Sequence, residues 1–490
     1  MLPHRCSALR CRIFHGVNVV YKLPPFYPDL EETNSNTSMT IDDMEQLQSW
    51  GFNAVRLGVM WSATAPESPE TFNTTFLGIV HDLIDRMGEY NIYTIVDAHQ
   101  DLFSRKFCGE GIPDWAVQPS ALTRGSFPLP LPRKVQKDPT TGYANITECL
   151  EIAFVDWNAA AELQSSWYPL YHNATLQAHF GSFWGAVARE MNTSQYVLGY
   201  ELLNEPLPCD GYHDLDVLCY FEPSKTDMQN LMPLYQEAWR RIRESDRQHI
   251  VMYEPSVVEG DIHQPTGFQV GPGGASANAT QAFAYHVYCF NQDAAGDITN
   301  TTVCDKQMEG TFAMAQADIA RVGGGHFVTE FGALGEGSTS VEAIHHQTAV
   351  ADTFLESWAY WTYKGFHDIT TQNPATESFF HPNGTLQVGK VAALSRTYAQ
   401  RVAGLPGSIA MKFAGEASTK DFLLTYTTNA AASNTTTVVY LNEAWHYPQG
   451  YSLAVLPAGA LAITQPRRNY LHLTHKAGVQ LAVTVSISAK

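Results

Sequence analysis

Eight short apolar runs, most ending in a polar residue, punctuate the first 363 residues and read as strands: Ile13–Val20, Ala54–Val59, Ile92–Asp97, Val197–Leu203, Ile250–Tyr253, Ala282–Tyr288, Phe327–Phe331 and Ala359–Tyr363. Helical patterns are predicted over Thr74–Tyr90, Leu176–Met191, Asp227–Arg243, Thr311–Val322, Ser340–Phe354 and Lys390–Val402. A further helix opens at Thr40, with Asp43 in the capping-box position. Strands that alternate with helices must pair in parallel, and eight is the number that closes a (β/α)8 barrel, the TIM barrel of the α/β class. An open doubly wound sheet is the rival, but no Gly-x-Gly-x-x-Gly follows any strand.

The pattern changes near Leu405-Pro-Gly, where short β-rich segments replace helical periodicity: Phe422–Thr427, Thr436–Leu441, Tyr451–Val455, Leu461–Thr464 and Leu481–Ile487. The chain therefore divides into a barrel over residues 13–403 and a small β-sandwich over 404–490. After the third barrel strand a connection of about 101–173 carries Trp115, Trp157, Trp167 and Phe127-Pro-Leu-Pro-Leu-Pro132. So long a segment leaving a strand's C-terminal end is expected to overhang the active face as an ordered lip.

The strand ends collect side chains that an apolar core would reject. Arg56 ends the second run, Asp97 and His99 the third, Asn204 and Glu205 the fourth, His286 and Tyr288 the sixth, and Glu330 the seventh, while Trp361 lies on the eighth. One such residue is more often a satisfied core group. This many at one rim would each cost about 1–3 kcal/mol if left unpaired, so a shared polar pocket is the economical reading. Two rim carboxylates, Glu205 and Glu330, are the minimal equipment for retaining glycoside hydrolysis, one as acid/base and one as nucleophile. Their pKa values must be pushed apart. Arg56 is expected to hold Glu330 anionic, with Tyr288 as a hydrogen-bond donor to it. In a regular pleat Asn204 and Glu205 would face opposite ways, so a bulge or the strand end must re-aim one of them. Asn204 would then reach the sugar 2-hydroxyl, and Trp361 would floor the site.

Asn204-Glu205-Pro206 together with Thr329-Glu330-Phe331-Gly332 resembles glycoside hydrolase family five, of the clan with its acid/base on strand four and nucleophile on strand seven. The family's eight recurring active-site positions find counterparts in Arg56, His99, Asn204, Glu205, His286, Tyr288, Glu330 and Trp361. A narrower resemblance, to the endoglycoceramidase family, rests on three segments. They are Gly16-Val-Asn-Val-Val-Tyr-Lys-Leu-Pro-Pro-Phe-Tyr-Pro28, Asp97-Ala-His-Gln-Asp-Leu-Phe-Ser-Arg105 and Phe107-Cys-Gly-Glu-Gly-Ile-Pro-Asp-Trp115. It implies cleavage between oligosaccharide and ceramide in glycosphingolipids, with both released intact, and glycan contacts from Lys22, Asp97 and His99. Phe103, Phe107, Ile112 and Trp115 are expected to supply part of the ceramide side. The same substrate suggests transient contact with a membrane or micelle surface, and a lipid-presenting activator or detergent as a partner. The alternatives are a glucosylceramide- or sterylglucoside-cleaving β-glucosidase, a cellulase- or mannanase-type endoglycosidase, and a non-catalytic glycolipid binder on the same fold. Two carboxylates suffice for the chemistry, so no metal or organic cofactor is expected.

Composition sets the remaining bounds. A net charge of −19 without a Lys/Arg run argues against nucleic acid, whose phosphates demand a basic surface. Nine Asn-x-Ser/Thr sequons, at Asn36, Asn73, Asn145, Asn173, Asn192, Asn278, Asn300, Asn383 and Asn434, point to glycosylated loops. Eight cysteines, with Cys209/Cys219 and Cys289/Cys304 as candidate pairs, fit an oxidising compartment. A secreted protein, or one in the lysosomal or endosomal lumen, is expected, although Met1–Arg12 shows no apolar signal core and reads as a truncated start.

Overall fold

The computed structural model describes residues 6, 7, 10–121, 123, 125–212, 222–257, 264–371, 373, 375–415 and 420–490. Two short strands, β1 (Cys6–Ser7) and β2 (Arg10–Arg12), precede the barrel strands. These are β3 (His15–Val19), β4 (Ala54–Gly58), β5 (Tyr93–Asp97), β6 (Val197–Glu201), β7 (Ile250–Tyr253), β8 (Gln281–Val287), β9 (Gly325–Gly332) and β10 (Trp358–Trp361). They pair in parallel in sequence order, and β10 closes on β3 with Trp358 opposite His15. All eight expected strands are present.

Side chains alternate across each strand. Ala54, Ile95, Met252, Ala282, Ala284, Phe327 and Ala359 plug the barrel floor with Phe14, while Val55, Leu57, Val96 and Val287 belong to the core between strands and helices. An apolar plug fills the lower layers of a barrel, so polar groups are tolerated only above it, at the C-terminal rim. The helix Ile41–Ser49 has Thr40 as its N-cap, whose backbone N–H donates to the Asp43 carboxylate at 2.9 Å. The helix expected at Thr311–Val322 begins at Thr301, where the Asn300 side chain accepts from the Val303 N–H.

One helix needs correction. Lys390–Val402 is not a single helix: a helix over Val388–Leu394 gives way to β11 (Tyr398–Val402). This strand pairs with β2 on one side and β14 (Thr436–Tyr440) on the other. Partners this distant override the local helical pattern. The C-terminal region also holds β12 (Ala410–Phe413), β13 (Phe422–Thr427), β15 (Tyr451–Leu456), β16 (Leu461–Arg467), β17 (Tyr470–His475) and β18 (Ala482–Ala489). Two antiparallel sheets result, β1-β2-β11-β14-β17-β16 and β12-β13-β18-β15, with a shared core that includes Phe413, Phe422, Val439, Leu473 and Ile487.

The sandwich is fastened to the barrel by close contacts. Tyr398 stacks on His15 at 3.6 Å between ring centroids, and its hydroxyl donates to Gly51 O at 2.6 Å. Gly51 has φ +89°, and a Cβ there would lie 2.3 Å from the Tyr440 ring, so both backbone and neighbour require glycine. The described residues of the lip after β5 are tied to the fold by a disulfide and buried indoles. Cys108 and Cys149 are disulfide-bonded, and Trp157 and Trp167 are fully buried. The expected Cys289–Cys304 bridge is present; the Cys209/Cys219 pairing lies outside the described residues.

Candidate active site

Backbone irregularities aim the two carboxylates. Along β8 and β9, Tyr285 pairs with Val328 but His286 pairs with Glu330, so β9 carries one extra residue at this point. That bulge turns Glu330 into the barrel mouth. Glu205 lies beyond the end of β6 at φ +40°, in the left-handed region a non-glycine residue rarely adopts. The re-aiming expected between Asn204 and Glu205 thus comes from this turn. One oxygen each of Glu205 and Glu330, with a nitrogen of His286, lie within 4.8 Å of one another.

Arg56 organises the floor of the site. Its guanidinium donates to Glu330 Oε1 at 2.5 Å, Asn204 Oδ1 at 2.7 Å, Asn18 Oδ1 at 3.1 Å and the Glu201 carboxylate. Asp97 lies 3.2 Å away and Glu254 3.7 Å away. Burial opposes its charge, but Asp97, Glu201, Glu330 and Glu254 outweigh that and raise its pKa. Tyr288 donates to the second oxygen of Glu330 at 2.7 Å. Burial, reinforced by Glu330 and Glu205, pushes the Tyr288 phenol well above its usual value, so it remains a donor. Burial also pushes Glu330 above the usual carboxylate range, and His286 and Arg56 offset only part of that rise, so the expectation that Arg56 holds this carboxyl down is not met.

His286 bridges three carboxylates. Nδ1 is 2.7 Å from Glu205 Oε1 and 3.5 Å from Glu330 Oε2, and Nε2 is 2.8 Å from Glu254 Oε1. Burial opposes protonation of the ring, but Glu254 and Glu330 outweigh it and push its pKa well above the usual value. Across the mouth, His99 stacks on Trp361 with centroids 5.5 Å apart, and Lys22 Nζ lies 5.1 Å from the same indole. Burial opposes the His99 charge as well, but Asp97 and Asp101 push its pKa up to about 10.

These groups open into a cavity of about 500 Å³ with both polar and apolar lining. Lys22, His99, Asp101, Asp368, Thr370 and Glu377 are among its polar lining residues. Leu150, Ile152, Phe154, Leu207, Val257 and Phe290 line apolar parts. Glu205, His286, Tyr288, Glu330, His99, Trp361 and Lys22 all line this space.

Several expected contacts need correction. Asp97 is wholly buried beneath the mouth, where it holds His99 Nδ1 at 2.8 Å and Arg56; it is a support and not a glycan contact. Asn204 is also beneath the mouth, its amide engaged by Arg56 and by Gln100 O at 3.0 Å. The three N–H groups of Lys22 go to Asp101, to Asp368 at 3.0 Å and to Thr370 at 2.7 Å, so its donors are engaged by the protein itself. Phe103, Phe107, Ile112 and Trp115 do not line the cavity. Phe103 packs on Trp167, Phe107 on Phe127, Ile112 is buried in the core, and the Trp115 indole donates to Ala65 O at 2.8 Å. They anchor the lip, and its later residues 150–155 supply the apolar lining instead.

Sequence reasoning missed Glu201, Glu254, Asp101, Asp368 and Glu377. Glu254 directly follows β7, so the rule that found the other rim residues, applied to the fifth strand, would have found it. Asp368 and Glu377 sit in the connection after β10, where no pattern marks them.

The comparisons with known proteins agree with this geometry. Cellulase (glycosyl hydrolase family 5) matches residues 25–367, and the glycoside hydrolase family 5 C-terminal domain matches residues 396–487. An endoglycoceramidase of Hydra vulgaris is 33% identical over 451 residues, covering 91% of this chain and 80% of that protein. One of Cyanea nozakii is 30% identical over 481 residues, covering 98% and 90%. The structure of endo-glycoceramidase II from Rhodococcus sp. in its ganglioside GM3 complex superposes with a TM-score of 0.75 at 19% identity, covering 98% of each chain.

Proposed function

The chain belongs to glycoside hydrolase family 5, and from that premise we propose that it is a retaining endo-β-glycosidase. It hydrolyses the bond between glycan and ceramide in glycosphingolipids and releases both intact. The observation that carries the mechanism is the approach of one oxygen each of Glu205 and Glu330 to within 4.8 Å, which fits the roughly 5–5.5 Å spacing of retaining pairs better than the roughly 6.5–9.5 Å of inverting ones. Glu330 attacks the anomeric carbon while Glu205 gives its proton to the departing ceramide oxygen. Arg56 and Tyr288 hold the two Glu330 oxygens in line for attack. Glu205, now a carboxylate, takes a proton from water, which attacks from the face that ceramide left, opposite Glu330, and opens the glycosyl ester. Trp361 floors the reacting sugar. The polar lining of the cavity receives the glycan and the lining that includes Ile152 and Phe154 receives ceramide.

Mass spectrometry of products from a ganglioside, lactosylceramide and glucosylceramide in detergent tests this reading. Intact oligosaccharide and ceramide are expected. Glucose from glucosylceramide alone would overturn the proposal in favour of a glucosylceramidase. Ile152→Asn should raise KM for the glycolipid about tenfold while leaving a soluble aryl lactoside within about twofold, the cost of one lost apolar contact being about 1–2 kcal/mol. Trp115→Ala should show no such selectivity.

We further propose that the protein is glycosylated, in a secreted or lysosomal form. None of the nine sequon asparagines is buried. Asn73, Asn145, Asn173 and Asn300 each cap a helix through the side-chain oxygen, leaving the amide nitrogen for a sugar. Protein from a eukaryotic secretory host should lose mass on digestion with an N-glycosidase; unchanged mass would refute this.

A further inference from the structure

Glu254 is placed to control the acid/base residue without touching the reacting bond. It follows β7, is 3% exposed, and meets charged groups from four directions. His286 comes from β8, Arg56 from β4, Glu201 from β6, and Glu205 from the turn beyond β6. Its two oxygens have different tasks. Oε2 accepts the Glu205 backbone N–H at 2.8 Å, which fixes the turn that carries Glu205. Oε1 lies 2.8 Å from His286 Nε2. The opposite nitrogen of that ring, Nδ1, lies 2.7 Å from Glu205 Oε1. A carboxylate, an imidazole and the acid/base carboxyl thus touch in succession.

We propose that Glu254 is a positioning residue that acts through His286: it draws a proton onto Nε2, so that an imidazolium presents Nδ1–H to Glu205. The argument is one of donors and acceptors. Oε2 accepts a backbone N–H, and Oε1 is in ion-pair contact with the ring. A ring that is charged donates at both nitrogens. Its Nδ1–H then supports Glu205 best when Glu205 is ionised, the state it must occupy while it activates water. This rests on the role given to Glu205 above.

Glu254→Gln is a severe test because its geometry is forced. The Glu205 N–H still needs an acceptor, so the amide oxygen takes the Oε2 place and the NH2 group faces His286. That nitrogen can only accept from an NH2 group, so the ring becomes neutral with its proton on Nδ1.

The experiment compares Glu254→Gln, Glu254→Asp and the unaltered full-length protein, with fold checked by near-ultraviolet circular dichroism. Ring 15N shifts of His286 are assigned by their absence in His286→Asn. Nε2 should be protonated at pH 7 in the unaltered protein and bare in Glu254→Gln. The alkaline limb of kcat/KM should move to lower pH by about one unit, because an anion beside a coupled pair raises its macroscopic pKa. On an aryl lactoside with a poor leaving group kcat/KM should fall about 10–100-fold, and on a dinitrophenyl lactoside about threefold or less, because that leaving group needs no proton. Glu254→Asp should recover part of the loss. An unchanged Nε2 shift, or an equal fall on both substrates with the pH profile fixed, would overturn the inference. Aryl lactosides report on it independently of lipid cleavage. Failure to cleave any glycosphingolipid would therefore sink the substrate reading and leave this one standing.

Discussion

Glu330→Ala should abolish turnover, and the anomer formed when azide restores it should identify what Glu330 does. Loss of about 10⁵-fold or more is expected, because the covalent route has no substitute once its nucleophile is gone. In the space vacated, azide attacks the anomeric carbon from the face Glu330 would have used, while Glu205 still protonates the leaving oxygen. One displacement inverts the centre, so the product is the α-glycosyl azide. Glu205→Ala should instead lose about 10²–10⁴-fold on poor leaving groups. Its glycosyl ester still forms from an activated substrate, and azide then replaces water on the opposite face, giving the β-glycosyl azide. Proton NMR of the azide products separates the two cases. The same anomer from both variants would reject the assignment of roles, whatever the rates.

Arg56→Met should cost about 3–5 kcal/mol of folding stability, the scale for removing one partner from a buried ion cluster. Arg56 is fully buried and holds Glu201 and Glu330 by direct hydrogen bonds, with Asp97 at 3.2 Å. Methionine fills similar volume but leaves those acids facing one another. The loss should depend on pH with a defined sign. Burial raises the Glu201 pKa, but Arg56 outweighs it and holds that carboxyl below its ordinary range. A depressed folded-state pKa stabilises above the unfolded value and ceases to do so as pH falls through the folded one. The difference between the two proteins should therefore be largest at neutral pH and shrink below about pH 4, where the unfolded acids also bind protons. Urea denaturation at a series of pH values measures it. A pH-independent difference would show that lost packing, rather than charge, is responsible.

The barrel was legible because its signals are local. Each strand is a run of apolar residues, and each ends where a polar side chain must leave the core. The same rule located Glu205, Glu330, His286 and Tyr288. It did not distinguish residues that open into the cavity from those that brace them, because Asp97 and His99 look alike in sequence and differ only in which neighbour lies above. Nor could it read Lys22, whose three donors are taken by Asp101, Asp368 and Thr370, two of them from a connection after β10. The bulge in β9 was also invisible, since an extra residue leaves no mark until the partner strand is known. β11 was misread for a related reason. Its residues carry a helical pattern, and its strand partners, β2 and β14, are remote or later in the chain.

That remoteness has a consequence for how the enzyme comes into being. β2 finds its partner at β11, with Arg12 opposite Arg401, and β3 closes the barrel against β10, with His15 opposite Trp358. β2 and β3 therefore wait while the intervening barrel strands are made. At ordinary elongation rates that interval is on the order of tens of seconds, during which an apolar strand and its open edge stand unpaired. Closure of the active barrel therefore follows the synthesis of β10, and removing the sandwich would uncover the edge of β2 that pairs with β11.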